Sequence, residues 1–274
     1  MILLIIWNVR SLVARVKTDF LSNEASKDNV SMVVVLEPKQ RYSKIMDFAR
    51  KFGMRSFMHG EPINHHISIF WKSSISVDKL DISDQHVTVK VSLGNADFFY
   101  SFVYTKCDPG LRKQLWRDLE AFNLEESAWL VGGDFNAIMD ASEKKDGSLF
   151  PRRDGMEFSS FTSQKGLLDL GFVGDRYTWC NNQKGDRRTW CRLDHCLVNL
   201  QTISTFPNAE VIHLVRALSD HSPLLINTKS RYGDGVHFFF SKRWTHQPSY
   251  RTVVRESWNR PIQGRLWPGF HNKL

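Results

Sequence analysis

Trp129-Leu130-Val131-Gly132-Gly133-Asp134-Phe135-Asn136 runs from apolar residues through two glycines to a carboxylate and an amide. Its apolar part, Ala128–Val131, reads as a short buried strand, and polar residues begin where it stops. Asp and Asn in such a place also fit a plain turn, because both bond their own backbone. The same pattern recurs along the chain. Asn8 follows the apolar run ending at Trp7, and Glu37 follows the Val-rich strand Ser31–Leu36. Asp220 and His221 precede the apolar stretch Pro223–Asn227. Each alone is either a turn residue or one wall of a cleft. Asp194 is different, since Leu193-Asp194-His195-Cys196-Leu197-Val198 sets a carboxylate inside an apolar strand. Such a group is costly without a bonded or charged partner. A histidine is the natural one, and the pairing raises its proton affinity and fixes its tautomer.

Outward from these points the chain alternates short strands with a few helices. Ile2–Asn8, His66–Trp71, Ile75–Leu80, His86–Ser92 and Asp97–Tyr104 read as strands, with period-two alternation at Val87, Val89 and Val91. Later strands are expected at Arg176–Cys180, Thr189–Leu193, Glu210–Leu214 and Pro223–Asn227. Helices are expected at Val16–Ala25, Tyr42–Lys51 and Gly155–Lys165, and at Leu111–Phe122 with Leu111, Leu115, Leu119 and Phe122 on one face. Strands in runs with interspersed helices suggest two packed sheets covered by helices, an α+β arrangement. Near Thr228 the character changes. We expect residues 1–228 to form one domain and 229–274 a basic tail or linker, with a possible helix at Ser249–Trp258.

The chain has 274 residues, 42% of them hydrophobic, with 19 Phe and 9 Trp, which is ample for a folded core. Its 37 basic and 29 acidic side chains leave a formal charge of +8, which favours polyanionic partners, although many basic proteins bind none. Cys107, Cys180, Cys191 and Cys196 form no CxxC pair and no zinc spacing, so they read as reduced thiols in an intracellular protein. Ile2–Trp7 is too short for a signal core, and no stretch approaches the ~20 apolar residues that span a bilayer.

Taken in order, Trp7-Asn8, Glu37, Val103-Tyr104, Gly133-Asp134-Phe135-Asn136, Arg192-Leu193-Asp194 and Ser219-Asp220-His221-Ser222-Pro223 resemble the endonuclease/exonuclease/phosphatase superfamily, which includes apurinic/apyrimidinic endonucleases and type I deoxyribonucleases. Leu36-Glu37-Pro38-Lys39-Gln40, Leu115-Trp116, Ser142-Glu143-Lys144, Gly166-Leu167-Leu168-Asp169-Leu170, Tyr177-Thr178-Trp179-Cys180-Asn181 and Phe240-Ser241-Lys242-Arg243-Trp244 bring the resemblance closer to the endonuclease domain of plant non-LTR (LINE-type) retrotransposons, in which a reverse transcriptase follows. The chain ends before such a domain, so a truncated element-derived product is expected.

The resemblance implies a four-layer DNase I-like sandwich, two mostly antiparallel sheets flanked by helices. It also implies a DNA endonuclease, nuclear and monomeric, that nicks one strand with Mg²⁺ or Mn²⁺. It assigns Glu37, Asn8 and Asp220 to the metal, consistent with the preference of hard cations for oxygen. It assigns Asp134 to the attacking water, Asn136 and Tyr104 to the phosphate, and His221, held by Asp194, to the transition state. Asn181 fits either a phosphate contact or a hairpin turn. Arg10 stands where some repair enzymes carry an acidic residue, Ser11 where a glycine is expected, and Pro38 and His195 where Thr and Arg are common in plant elements. Such departures, with the truncation, keep open an inactive or purely nucleic-acid-binding remnant, and the fold alone leaves open a phosphatase of small phosphoesters.

Overall fold

A computed structural model describes residues 2–54, 56–60, 62–147 and 152–228, together with positions 252 and 255. The chain divides into two units, Met1–Val236 and His237–Leu274. The expected tail and its helix Ser249–Trp258 lie outside the described residues apart from those two positions.

In chain order the elements are β1 (Leu3–Asn8), α1 (Arg15–Lys27), β2 (Met32–Leu36), α2 (Tyr42–Lys51), β3 (Ser56–His59), β4 (Ile67–Trp71), β5 (Ser76–Ile82), β6 (His86–Leu93) and β7 (Ala96–Tyr104). Then come α3 (Pro109–Glu120), β8 (Trp129–Asp134), β9 (Lys144–Lys145), α4 (Arg152–Gln164), β10 (Leu168–Asp169), β11 (Val173–Gly174) and β12 (Trp179–Cys180). The last are β13 (Trp190–Cys191), β14 (Asp194–Val198), α5 (Leu200–Thr205), β15 (Glu210–His213) and β16 (Leu224–Asn227). One sheet has the order β11-β15-β16-β1-β2-β4-β3, the other β10-β14-β8-β7-β6-β5, and β12-β13-β9 form a small third sheet. Pairing is antiparallel except at β1–β2, β7–β8 and β11–β15.

The unbroken apolar run of β1 has a direct cause. Ile2, Leu4 and Ile6 face the other sheet, against Val87, Val89, Val91, Phe102 and Leu130, while Leu3, Ile5 and Trp7 face the helices, with Leu21 and Ala25 of α1 and Ile45 and Ala49 of α2. A strand covered on both faces needs apolar residues at every position. The second sheet is covered in the same way, where Trp116 of α3 stacks on Phe158 and Phe161 of α4 over Trp129 and Val131. The result is helices, sheet, sheet, helices, the DNase I-like sandwich expected from the sequence. Among the described residues no helix is long and apolar enough to cross a membrane.

Four expectations change. The strand placed at Ala128–Val131 runs on through both glycines to Asp134, because β7 and β14 pair with it on either side along that length. A Cβ on Gly132 would lie 2.9 Å from Ile6 Cδ1, and one on Gly133, at φ +142°, would lie 2.1 Å from the Val103 carbonyl oxygen. The glycines are thus strand residues that let neighbouring elements close in, not a turn. In α3 the buried face is Arg112, Leu115, Trp116 and Leu119, with Leu111 exposed. Asp108 caps the Leu111 amide and Pro109 starts the helix, which moves its beginning upstream. The strands expected at Arg176–Cys180 and Thr189–Leu193 shrink to β12 and β13, since the Leu193 and Asp194 amides leave the ladder for Thr178 Oγ1. Finally, β3, α5 and the two-residue strands β9 to β11 were not anticipated.

Gly133→Ala should cost about 3 kcal/mol or more, from overlap with backbone that side-chain rotation cannot relieve. Urea unfolding at neutral pH measures it, and a loss under ~1 kcal/mol would contradict the close approach.

Candidate active site

The polar residues singled out in the sequence arrive at one place because the strands that carry them end there. Asn8 is the last residue of β1, and Glu37 follows β2 directly, with Asn8 registered against Leu36. Tyr104 ends β7 and Asp134 ends β8, paired in parallel register. Asp194 opens β14 directly opposite Asp134. The segment 219–221 comes in before β16, held where Ser219 Oγ donates to the Asn8 carbonyl and Trp7 Nε1 to the His221 carbonyl at 2.9 Å. Both large sheets therefore contribute.

The side chains form one network. Asn8 Nδ2 donates to Asp134 Oδ2 at 2.9 Å and to Glu37 Oε1 at 3.3 Å. The Tyr104 hydroxyl donates to Glu37 Oε1 at 2.7 Å. His221 Nδ1 pairs with Asp194 Oδ2 at 2.9 Å, and its Nε2 lies 3.7 Å from Asp134 Oδ2. Asp134, Asp194 and His221 are each at most 2% exposed.

Burial sets the proton affinities, and neighbours then decide them. Burial alone would raise Glu37, but Lys39, Tyr104, Arg10 and Asn8 hold it ionised, with its pKa lowered to about 2. Burial pushes Asp134 up; His221 and the amide of Asn136 pull it down, and the Asp194 charge adds to the rise. Burial would lower His221, yet Asp194 first and Asp134 second raise it above the ordinary imidazole value. The pairing thus raises the proton affinity of the imidazole, the effect expected of an Asp194–histidine pair. Tyr104 is raised by burial and by Glu37, so it remains a neutral donor.

Most candidate residues converge, and some do so indirectly. Asn136, at φ +43°, places its amide N–H on Asp134 Oδ1 at 2.9 Å and its Nδ2 on the Thr105 carbonyl at 2.8 Å, so it fixes the Asp134 carboxylate. Asp220 joins through Arg10 Nε and Trp179 Nε1, both at 3.1 Å from its Oδ2. Asn181 does not join. Its side chain accepts from the Gln183 and Thr189 amides and donates to the Arg187 carbonyl, which closes the 181–189 loop. That arrangement answers to the hairpin-turn alternative. Sequence reasoning missed Arg10 and Lys39 as partners of Glu37, and Thr178 and Trp179 as supports. The sequence marked Arg10 only as a departure from the family pattern, and no local pattern marks Thr178.

Among the described residues two sets of side chains have metal-ligand character: Asp134, Asp194 and His221, and Glu143, Asp169 and His195. In the first, the facing atoms are already committed to one another through His221. In the second, Arg192 fills the centre, its Nη1 on Glu143 Oε1 at 3.1 Å and its Nη2 on Asp169 Oδ1 at 2.8 Å, while His195 Nδ1 meets Asp169 Oδ2 at 3.1 Å. That cluster ties the turn before β9 to β10 and to β14, next to Asp194. Asp220 opens on a surface cleft of about 450 Å³ lined also by Arg10, Lys17, Asn182 and Arg216, while Glu37, itself buried, is joined to Asp220 through the Arg10 guanidinium.

A sandwich of this kind, with carboxylates, an amide and a carboxylate-held imidazole at its strand ends, defines the class of hydrolytic nucleases and phosphatases. The chain belongs to the endonuclease/exonuclease/phosphatase family, whose model matches residues 5–221. Among solved structures it is similar to the endonuclease domain of TRAS1, a telomere-specific non-LTR retrotransposon, at 16% identity and TM-score 0.61, covering 84% of this chain and all of that one. It is also similar to the 3′ phosphatase NExo from Neisseria bound to a product DNA hairpin, at 16% identity and TM-score 0.60, over 83% and 99% of the two chains. The AP endonuclease LMAP from Leishmania major gives 14% identity and TM-score 0.62, over 82% and 86%. None of the functionally curated proteins matches it in sequence.

The Arg192 cluster has a pH signature. Burial would raise Asp169, but Arg192 and His195 hold it far below the ordinary carboxylate value. A depressed folded-state pKa stabilises the fold above the unfolded value of ~4, and that gain is lost as pH falls toward the folded value. Asp169→Asn should therefore lose about 3 kcal/mol at pH 7, with the gap to wild type narrowing steadily between about pH 5 and pH 2. Urea unfolding across that range checks it, and a gap independent of pH would contradict the assignment.

Proposed function

We propose that the protein is a divalent-cation-dependent phosphodiesterase that nicks DNA. The observation that carries this reading is the unbroken line from Glu37 through Asn8 to Asp134, with His221 facing it at 3.7 Å and held from behind by Asp194. Glu37, with Asn8 and Asp220, would hold Mg²⁺ or Mn²⁺, and these all-oxygen donors, the first of them firmly ionised, suit a hard cation. When bound, the ion neutralises charge on the phosphate oxygens.

The rest falls to the chain's own residues. Asp134 is positioned to accept a proton from the attacking water, and its raised affinity makes it a better base than an exposed aspartate. His221, charged and unable to rotate away from Asp194, offers Nε2 to the oxygen on which charge develops. Tyr104, bonded to Glu37, and Asn136, bonded to Asp134, would orient the phosphate. Two cations lie over the Trp190 ring, Arg216 at 4.7 Å and Arg188 at 5.9 Å. Arg188 and Trp190, with Lys145, Tyr177, Lys184 and the acidic Asp146 and Asp175, border a second cleft of about 570 Å³, whose cations and aromatic rings suit a nucleic acid backbone. That surface favours DNA over a small phosphoester.

With Mg²⁺, wild type should convert supercoiled plasmid to open circles, and Asp134→Ala should do so at least ~100-fold more slowly. Equal nicking by the two proteins would end this reading. Salt-sensitive plasmid binding without any nicking by wild type would support the binding-module alternative.

A further inference from the structure

Glu37 is crowded. Its Oε1 accepts from Tyr104 at 2.7 Å, Arg10 Nη1 at 3.1 Å and Asn8 Nδ2 at 3.3 Å, and Lys39 Nζ sits 2.6 Å from Oε2. Each carboxylate oxygen offers about two lone-pair sites, so Oε1 is full, and a cation that bridges it to Asp220 must displace a donor already there. The donors are not held equally. Asn8 is fully buried and also tied to Asp134, and the Tyr104 ring packs on His66 at 4.9 Å. The Arg10 and Lys39 side chains are 46% and 54% exposed. Arg10 also reaches Asp220 Oδ2 through Nε at 3.1 Å, so one guanidinium spans both carboxylates of the proposed metal site. The backbone on both sides of the site is left-handed: Arg10 lies at φ +51°, Ser11 at +112° and Lys39 at +48°. Side chains rarely adopt these values, and a serine at +112° is strained where the family pattern has glycine.

We infer that Arg10, with Lys39 as its lesser partner, is a built-in cation that competes with the divalent ion for Glu37 and Asp220. The inference rests on the reading of those two carboxylates as ligands. Loading then requires the Arg10 side chain to swing into solvent. A phosphate entering the cleft offers the displaced guanidinium a new bidentate partner, so cation and DNA favour each other's binding.

Electron paramagnetic resonance of free Mn²⁺ during titration of the full chain reads this without turnover. Arg10→Met should bind Mn²⁺ about tenfold more tightly than wild type, the scale of one partly exposed charge-assisted pair. Lys39→Met should shift affinity less in the same direction. Arg10→Lys keeps the charge without the fork and should fall between wild type and Arg10→Met. Should Arg10→Met fold poorly, Arg10→Lys and Lys39→Met carry the same test. Glu37→Gln should abolish binding. Equal Mn²⁺ affinity in wild type and the Arg10 and Lys39 variants, with binding still dependent on Glu37, would overturn the competition and leave the ligand assignment intact. No Glu37-dependent Mn²⁺ binding in any variant would overturn both.

Discussion

Two carboxylates, Asp134 and Asp194, face each other across an antiparallel ladder with 1% and 2% of their surface exposed. Buried charges of like sign cannot persist without compensation. His221 supplies it, bonded to Asp194 and facing Asp134. Much of the surrounding architecture follows from keeping that imidazole in place. Trp7 holds its carbonyl, Ser219 its amide, and Thr178 ties down the turn into Asp194.

The fold makes the arrangement possible by ending strands of both sheets at one edge. Parallel pairing of β1 with β2 and of β7 with β8 brings Asn8 beside the start of the Glu37 turn and Tyr104 beside Asp134. Gly133 lets β8 approach β7 closely enough for Asp134 to sit at that edge. Electrostatics then divide the site in two. One part holds the imidazole between two buried carboxylates. The other part holds the buried Glu37 and the more open Asp220, balanced by the half-exposed cations Arg10 and Lys39.

Much of this was legible in the sequence, for physical reasons. A continuous apolar strand such as Ile2–Trp7 announces burial on both faces, and the polar residue that ends it announces the edge. Asp194 demanded a partner because it interrupts an apolar strand, and the partner is His221. Other features were hidden. The role of Gly132 and Gly133 depends on what lies across from them, Ile6 and Val103, which no local pattern reveals. Asn181 fits either a phosphate contact or a turn, and its side chain closes its own loop through bonds that the sequence does not display. The Arg192 cluster joins residues far apart in sequence, and Arg10 read only as a departure until its bridge between Glu37 and Asp220 came into view.

The central claim is that Asp194 works through His221 as one unit with it. A kinetic double-mutant cycle on plasmid nicking tests this most directly, with Asp194→Asn, His221→Ala and the pair combined. Groups that act as a unit lose their effect together. The account predicts that the double variant is no slower than His221→Ala alone. Losses that multiply would show two independent contributions and contradict it.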